Sequence, residues 1–317
     1  MQVLITGGAG FIGSHLAQSY QGRAQVRVLD NLRTGRRQNL AGLDVEFIDG
    51  SILDRPVLRT ALQNVDYVFH LAAMVGVEES CHHPRECVEL NVIGLLNVLE
   101  LAAECGVKKL CFSSSAAVYG DNPVVPKDEE MRPEPRSPYA VTKFDGEAYC
   151  EQFGSSGRLQ TVSVRFFNVF GPRQDMTGGY GAVIPNFFRQ ALAGKPLAIL
   201  GDGKQTRDFI YVDDIVSALQ FVAQEKELSG TFNAGYGMSI SILELAERIL
   251  SMSGSKSKIE FHPARVGDVR HSVASVARLK NVGYRPAGSL DGGLEKMLAW
   301  LQSCSEAAPS PATNVIV

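Results

Sequence analysis

The chain has 317 residues, of which 45% are hydrophobic and 21% are charged, and its formal net charge at pH 7 is −3. This composition is typical of a globular protein that is long enough for one large domain or two lobes. The small negative charge gives no general attraction for nucleic acid or an anionic membrane, and no apolar run is long enough to span a bilayer.

The first half of the chain alternates short apolar runs with helical patterns. Continuous apolar strands separated by helices indicate a parallel sheet that is covered on both faces. We therefore predict an α/β doubly wound parallel sheet, the Rossmann fold, over residues 1–170. The predicted strands are 2–6, 25–30, 45–49, 67–73, 109–115 and 159–168, and the predicted helices are 10–21, 54–63, 84–105 and 137–153.

The pattern changes after residue 170, where a loop rich in Gly and polar residues begins. We predict a smaller C-terminal α/β lobe over 171–305, with segments near 207–236 returning to the main sheet. Its predicted strand is 196–200. Its predicted helices are 182–193, a helix that follows FIYVDD (209–214) and ends near 226, 240–253 and 290–303. Residues 306–317 are rich in Ala and Pro, which predicts a flexible tail.

A glycine motif, GGAGFIG (7–13), follows the first strand and opens the first helix. Gly7 allows a tight turn, Gly10 lets the backbone approach a pyrophosphate, and Gly13 permits close helix–strand packing. Asp30 ends the second strand, where a carboxylate accepts hydrogen bonds from ribose hydroxyls and repels a 2′-phosphate. The motif predicts a dinucleotide site that prefers NAD over NADP, although arginines at 33, 36 and 37 weaken this preference.

A second motif, SPYAVTK (137–143), opens the helix after the predicted strand 109–115. Ser137 suits the N-cap and precedes a proline at the first helical position. Tyr139 then lies in the first turn, where the helix dipole favours an anion, and Lys143 lies one turn later on the same face. An ammonium group within about 4–6 Å favours phenolate, so we expect Lys143 to make Tyr139 a usable base.

Six segments together resemble the extended short-chain dehydrogenase/reductase family and, within it, the nucleotide-sugar 4-epimerases. The resemblance covers about residues 1–300. The segments are GGAGFIG (7–13), HLAA (70–73), SSSAAVYG (113–120), SPYAVTK (137–143), RFFNVFGPRQ (165–174) and RDFIYVDD (207–214).

The resemblance implies that Tyr139 removes a proton from a sugar hydroxyl while tightly bound NAD takes the hydride. It implies that Ser115 hydrogen-bonds the reacting oxygen and that Lys143 also holds the nicotinamide ribose. The residues it places at the cofactor are Gly7, Gly10, Phe11, Ile12, Gly13, Asp30, Asn31, Ser51, Ile52, Leu71, Ala72, Ala73, Asn91, Ser113, Tyr139 and Lys143. Ser51 stands where relatives often have an aspartate near the adenine, which puts that contact in doubt.

The same resemblance implies a substrate site for a UDP-sugar. Its residues are Ser115, Asn168, Val183, Arg207, Arg265, Asp268 and Ser272. The two arginines match positions at the diphosphate, whose oxygens suit guanidinium forks. Asp268 matches an acid at the uridine ribose.

The residues that follow Ser115 indicate the type of reaction. Related 4,6-dehydratases carry Asp-Glu there, and uronate decarboxylases keep a Glu, whereas this chain has Ala116 and Ala117. Alanine cannot transfer protons, which leaves hydride removal and return, and therefore 4-epimerisation.

The choice of sugar is predicted from two further positions. Ser272 falls at a gate position that is bulky in relatives restricted to glucose and galactose, and a small residue leaves room for an N-acetyl group. Asp175 stands where uronate epimerases usually carry an arginine, and it would repel a carboxylate. We therefore expect UDP-GlcNAc/UDP-GalNAc first, UDP-Glc/UDP-Gal as well, and UDP-glucuronate third.

Two other classes of function remain open. A net oxidoreductase, such as a 4-keto-sugar reductase, would share Ser115, Tyr139 and Lys143, and a non-catalytic NAD-binding protein would share the glycine motif. Relatives often dimerise through helices corresponding to 84–105 and 137–153, which implies a homodimer by analogy.

The N-terminus lacks the features of a signal peptide, and the six cysteines form no CxxC pair, so we expect a cytoplasmic protein with reduced thiols. The segment CHHPREC (81–87) matches no standard zinc spacing, and we interpret it as a loop before a helix rather than a metal site.

Overall fold

A seven-stranded parallel sheet forms the centre of the protein. The structure, a computed structural model, describes residues 1–175, 182–264 and 269–306. In chain order the strands are β1 (Gln2–Thr6), β2 (Gln25–Asp30), β3 (Glu46–Asp49), β4 (Tyr67–His70), β5 (Lys109–Ser115), β6 (Gln160–Phe166), β7 (Asn168–Phe170), β8 (Leu197–Leu200), β9 (Thr206–Arg207), β10 (Phe209–Tyr211), β11 (Gly230–Ala234), β12 (Ile240–Ser241), β13 (Ile259–His262) and β14 (His271–Ser272).

Helices cover both faces of this sheet. In chain order the α-helices of the described residues, including those of the second half of the chain, are α1 (Phe11–Ser19), α2 (Arg55–Ala61), α3 (Val77–His82), α4 (Pro84–Val88), α5 (Gly94–Glu104), α6 (Pro138–Ser155), α7 (Val183–Leu192), α8 (Val212–Gln224), α9 (Ile242–Ser253), α10 (Ala277–Asn281) and α11 (Leu290–Glu306). A π-helical turn, Glu89–Ile93, joins α4 to α5.

The strand order of the sheet is β11-β6-β5-β4-β1-β2-β3, and all neighbouring pairs are parallel. The order of β1 to β6 is that of a Rossmann fold, which confirms the predicted fold class. The direction of the connections reverses between β1 and β4. Ligands of such sheets bind outside the carboxyl ends of the strands at this switch point.

The alternation of side chains along the strands divides the core into two layers. Val3 and Ile5 of β1 pack with residues of α1 and α8 on one face of the sheet. Leu4 packs with residues of α2 and α5 on the other face. Because both faces are buried, every residue of β1 after Gln2 is fully buried, which explains the continuous apolar run in the sequence.

The second half of the chain contributes to the main sheet and also forms small sheets of its own. Strand β11 pairs with β6 at the edge of the main sheet, and α8 packs against α1. The small sheets pair β7 with β10, β8 with β13, and β9 with both β12 and β14. Of the predicted tail 306–317, only Glu306 lies in the described residues, as the last residue of α11.

Two predicted local elements are wrong. The predicted strand 67–73 ends at His70, which is the last residue of β4 that pairs with β1 and with β5. The segment CHHPREC is helical rather than a loop, since Cys81 and His82 belong to α3 and Pro84–Cys87 to α4. Pro84 keeps His83 out of the helical conformation and so separates the two helices.

Within the described ranges, no helix is both long and apolar enough to cross a membrane. The same part of the chain contains no cluster of three His, Cys, Asp or Glu side chains that could hold a metal ion. All six cysteines are free thiols.

Candidate active site

A cleft of about 1530 Å³ lies at the carboxyl ends of the central strands. Its walls include the glycine turn after β1, the end of β5 and the start of α6. The two motifs singled out in the sequence therefore meet in one cavity, at the switch point of the sheet.

The glycine turn is closely packed, which explains its small residues. Gly7 has φ +71°, and a Cβ on it would lie 2.8 Å from the backbone nitrogen of Ala72. A Cβ on Gly13 would lie 2.3 Å from the carbonyl oxygen of Gly7. The first N–H groups of α1 lack partners within the helix and lie at the positive end of its dipole. The turn therefore fits a diphosphate group.

Asp30 organises the wall next to this turn. One of its carboxylate oxygens accepts a hydrogen bond from the N–H of Ala9 at 2.9 Å, and the other accepts one from the N–H of Leu32 at 2.8 Å. Burial raises the pKa of Asp30, although these two hydrogen bonds oppose the rise. The carboxylate lines the cleft and keeps lone pairs for ribose hydroxyls.

The structure brings nearly all of the predicted cofactor residues to the cleft. Those that line it are Gly7, Gly10, Phe11, Ile12, Gly13, Asp30, Asn31, Ser51, Ile52, Leu71, Ala72, Ala73, Ser113, Tyr139 and Lys143. Together they fit an extended dinucleotide, which would supply a hydride acceptor when bound. Ser51 is on the wall, and its hydroxyl accepts a hydrogen bond from the N–H of Leu53.

Asn91 lies behind this wall rather than on it. Its side-chain oxygen accepts a hydrogen bond from the N–H of Met74 at 2.8 Å, and its amide nitrogen donates to the carbonyl of Met74 at 3.1 Å. The same nitrogen donates to the hydroxyl of Thr142 at 3.0 Å. Asn91 is 3% exposed. In this geometry it fixes the loop after β4 against α6, so its position supports the cleft indirectly.

Tyr139 and Lys143 are placed by the start of α6. The hydroxyl of Ser137 caps the helix by accepting from the N–H of Ala140 at 3.2 Å, as the sequence predicts. The Lys143 ammonium donates to the carbonyl of Ser113 at 2.7 Å and lies 5.8 Å from the centre of the Tyr139 ring. The Ser115 hydroxyl lies near the Tyr139 phenol and acts to lower its pKa, and both residues line the cleft. The three predicted catalytic residues therefore form one group.

In the protein alone the pKa of Tyr139 is raised rather than lowered, contrary to the expectation, and burial is the largest cause. The Ser115 hydroxyl opposes this rise in pKa only in part. Burial also lowers the pKa of Lys143 to about 8. The sequence cannot give this result, because it shows that the two residues share a helix face but not how deeply the helix is buried.

Ser80 is a positioning residue that sequence reasoning missed. It is fully buried on α3, and its hydroxyl accepts a hydrogen bond from the N–H of Tyr139 at 3.2 Å. The same hydroxyl donates to the carbonyl of Val77 at 2.6 Å. Ser80 therefore ties the first turn of α6 to α3. In the sequence it is a serine between an acidic residue and a cysteine, and this pattern is too common to indicate a role.

Replacing Ser80 by alanine should lower kcat by about tenfold, because a small displacement of Tyr139 weakens its alignment with a bound substrate. The free energy of unfolding should fall by about 1–3 kcal/mol, since the N–H of Tyr139 loses its partner. Steady-state kinetics and urea denaturation measure the two effects. A Ser80→Thr variant keeps the hydroxyl and should retain more activity; equal loss in both would contradict a positioning role.

The predicted substrate residues are only partly assembled. Ser115, Asn168, Arg207 and Ser272 line the cleft. Val183 does not, because it begins α7 and packs against the core, whereas its neighbour Ala182 lines the cleft. The remaining two predicted residues, Arg265 and Asp268, lie outside the described residues.

Asp208 holds the strands that carry Arg207 and Ser272. Its buried carboxylate accepts hydrogen bonds from the N–H groups of Tyr236, Gly237 and Ala274 at 2.9–3.1 Å. Burial raises the pKa of Asp208 to about 6 in spite of these bonds. Strand β14 pairs with β9 so that Ser272 lies beside Arg207.

The cleft also contains residues to which the sequence analysis assigned no role. Charged and aromatic side chains enter it from the loops after β5 and β7 and from α11: Asp121, Lys127, Arg136, Arg173 and Trp300. They are scattered along the chain, so only the folded structure brings them together.

The fold and the cleft together define a dinucleotide-dependent enzyme of the Rossmann class. Residues 3–235 match the model of the NAD dependent epimerase/dehydratase family. The chain belongs to this family, which confirms both the resemblance seen in the sequence and, at the level of the family, NAD as the cofactor.

Relatives match the chain over almost its full length. It is 35% identical to the UDP-glucose 4-epimerase of Mycolicibacterium smegmatis, over 96% of this chain and 100% of the relative. The structure of UDP-N-acetylglucosamine 4-epimerase from Methanobrevibacter ruminantium, in complex with UDP-N-acetylmuramic acid, is 36% identical, with a TM-score of 0.92 over 96% of this chain and 98% of that one. Thermus thermophilus UDP-glucose 4-epimerase in complex with NAD is 35% identical, with a TM-score of 0.88 and coverage of 95% and 99%.

Proposed function

We propose that the protein is a UDP-sugar 4-epimerase that removes and returns the hydride at C4. The observation that carries this proposal is the group formed by Ser115, Tyr139 and Lys143 in the same cleft as the glycine turn. Tyr139 takes the proton of the C4 hydroxyl, Ser115 hydrogen-bonds the same oxygen, and Lys143 adds a positive charge beside the phenol.

The residues that follow β5 support epimerisation over elimination. Ala116 and Ala117 both line the cleft beside Ser115, and neither can transfer a proton. The backbone there is fixed, because the Ser115 hydroxyl accepts from the N–H of Ala117 at 3.1 Å. A 4-keto sugar in this cleft has no acid from these positions to act at C5 or C6, and it can only receive hydride again.

We propose UDP-GlcNAc and UDP-GalNAc as the preferred pair of sugars, with UDP-Glc and UDP-Gal also accepted. Ser272 lines the cleft with a short side chain, which leaves room for an N-acetyl group. UDP-glucuronate is the alternative, and it is disfavoured because Asp175, which lines the cleft where uronate epimerases usually carry an arginine, supplies no positive charge for its carboxylate. The complex of the Methanobrevibacter relative shows that an N-acetylated sugar nucleotide fits a protein of this fold.

A test of the reaction uses the purified protein without added cofactor. Incubation with UDP-GlcNAc, UDP-Glc and UDP-glucuronate, followed by NMR, should give the C4 epimers of the first two sugars, with little product from UDP-glucuronate and no rise in absorbance from NADH. A 4-keto-sugar reductase would instead turn over only with stoichiometric cofactor, and stoichiometric oxidation or reduction would reject epimerisation.

Ser272→Tyr should reduce kcat/KM for UDP-GlcNAc by about tenfold or more, because burying a phenol ring where the N-acetyl group lies creates a clash. The value for UDP-Glc should change less than about threefold. Steady-state assays with both substrates measure the ratio. A matched control is Ser275→Tyr, which changes a nearby serine that does not line the cleft. Equal loss of both substrates in Ser272→Tyr would mean that this residue is not the gate.

We also propose a homodimer through α4, α5 and α6. Val88, Ile93, Val141 and Phe144 are exposed on these neighbouring elements, and α4 contacts α6. An apolar face of this kind favours burial against a second copy. Analytical ultracentrifugation should give twice the mass of the chain, and Phe144→Glu should shift it to the monomer.

A further inference from the structure

An ion pair lies on the cleft wall beside the candidate catalytic residues. The guanidinium of Arg136 lies 2.8 Å from the carboxylate of Asp121, and both residues line the same cleft as Ser115 and Tyr139. Arg136 comes three residues before Tyr139, and Asp121 follows the short turn that begins after Ser115. Both charges therefore belong to the end of the cleft where the sugar would react.

The backbone fixes the two charged residues next to each other. The N–H of Glu134 donates to the carbonyl of Val118 at 2.9 Å. Between these segments Gly120 has φ +58°, and a Cβ on it would lie 2.0 Å from the carbonyl oxygen of Glu134 and 3.2 Å from the Cγ of Arg136. Only a glycine lets the two segments approach so closely, so the pairing of Arg136 with Asp121 follows from the main-chain geometry.

The pair contributes little to stability. The side chain of Arg136 is 67% exposed and that of Asp121 is 51% exposed, and exposed ion pairs typically stabilise a protein by at most about 1 kcal/mol. Its main effect is on the charge that the cleft presents to a ligand. An unpaired guanidinium beside the sugar would bind a carboxylate through two parallel hydrogen bonds. Paired with Asp121, the same group presents no net charge.

We propose that Arg136 and Asp121 together determine sugar specificity, with Asp121 occupying the guanidinium so that neutral sugars are preferred over sugars that carry a carboxylate. This inference rests on the proposed function, which supplies the class of ligand, a UDP-sugar. Because it concerns only how tightly the ligand binds, its test does not require the protein to convert the sugar. Ala116 and Ala117 add no charge at this wall, so removal of the carboxylate at position 121 makes the local charge more positive by one.

The experiment measures dissociation constants by calorimetry for UDP-glucose and UDP-glucuronate, which differ only in the carboxylate at C6. Asp121→Asn keeps the size of the side chain and frees Arg136. We expect the ratio of the two constants to shift by up to about fivefold in favour of UDP-glucuronate, since an exposed ion pair of this kind contributes at most about 1 kcal/mol. The double variant Asp121→Asn/Arg136→Met should return the ratio to that of the wild type.

Glu104→Gln is the matched control. It breaks the exposed pair between Arg59 and Glu104, whose side chains are 50% and 49% exposed, on helices outside the cleft wall. The ratio should not change in this variant.

Three outcomes separate this inference from the proposed function. An unchanged ratio in Asp121→Asn, or a shift that persists in the double variant, overturns the inference alone. Tight binding of UDP-sugars without conversion in NMR assays overturns epimerisation, and the ratio still tests the ion pair. Absence of binding by both UDP-sugars overturns both proposals.

Discussion

Replacing Tyr139 by phenylalanine is expected to lower kcat for epimerisation by about 10²–10⁴-fold, the usual contribution of a general acid–base group. The phenol is the group that takes the C4 proton in the proposed mechanism, and its ring remains in the variant to fill the cleft. The midpoint of thermal unfolding should therefore change by no more than a few degrees, and NAD should still co-purify. Initial rates with UDP-Glc and UDP-GlcNAc measure the loss.

Tyr149→Phe is the matched control for this substitution. Tyr149 lies on the same helix, α6, but packs against the core away from the cleft. Removing the hydroxyl of Tyr149 should leave kcat within about twofold of the wild type. Comparable activity in Tyr139→Phe and the wild type would refute the assigned base, and equal loss in both variants would point to damage of the helix instead.

The largest expected effect on stability concerns a buried ion pair beneath the site. Arg165 and Glu147 are 5% and 6% exposed and form two hydrogen bonds of 2.8 and 2.7 Å. Burial opposes the charge of Arg165, but the paired Glu147 outweighs it and raises the pKa of Arg165. Glu147→Gln leaves a buried charge without its partner and should lower the free energy of unfolding by about 3–5 kcal/mol.

A double-mutant cycle tests this prediction. In urea denaturation, Glu147→Gln/Arg165→Met should be more stable than the Glu147→Gln variant, because no buried charge is left without a partner. Additive losses would show that the two residues do not act as a pair.

The pair also links the sheet to the catalytic helix. The hydroxyl of Ser114 donates to Glu147, so the strand residue between Ser113 and Ser115 is tied to α6. Arg165 extends the network by donating to the hydroxyl of Tyr119 at 2.8 Å. Loosening this network should reduce kcat as well as stability, because Tyr139 and Ser115 belong to the two elements that it joins.

The sequence was sufficient for the fold and for most of the cleft. Continuous apolar strands, alternating helices and the glycine turn all depend on local residue pattern, and each predicted the element that the structure contains. The N-cap at Ser137 could also be predicted from the sequence, since capping depends on a few neighbouring residues. The helix α3 escaped prediction because the histidine and proline after it resemble a loop.

Properties that depend on distant contacts could not be predicted. The pKa of Tyr139 depends on how deeply the folded protein buries it, and the motif gives only its neighbour on the helix. The family resemblance assigned Asn91 to the cofactor, but its side chain is satisfied by Met74 and Thr142. The pairing of Asp121 with Arg136 joins the two ends of the loop that precedes α6, and neither residue belongs to a recognisable pattern.

The proposed mechanism requires that the hydrogen at C4 leaves the sugar and returns to the same carbon. The most direct test incubates the purified protein with UDP-glucose deuterated at C4 in ordinary water, and analyses the recovered UDP-galactose by mass spectrometry and NMR. The account predicts that deuterium stays at C4 of the product and that none appears in the solvent. Exchange of the C4 deuterium for solvent hydrogen would contradict hydride return.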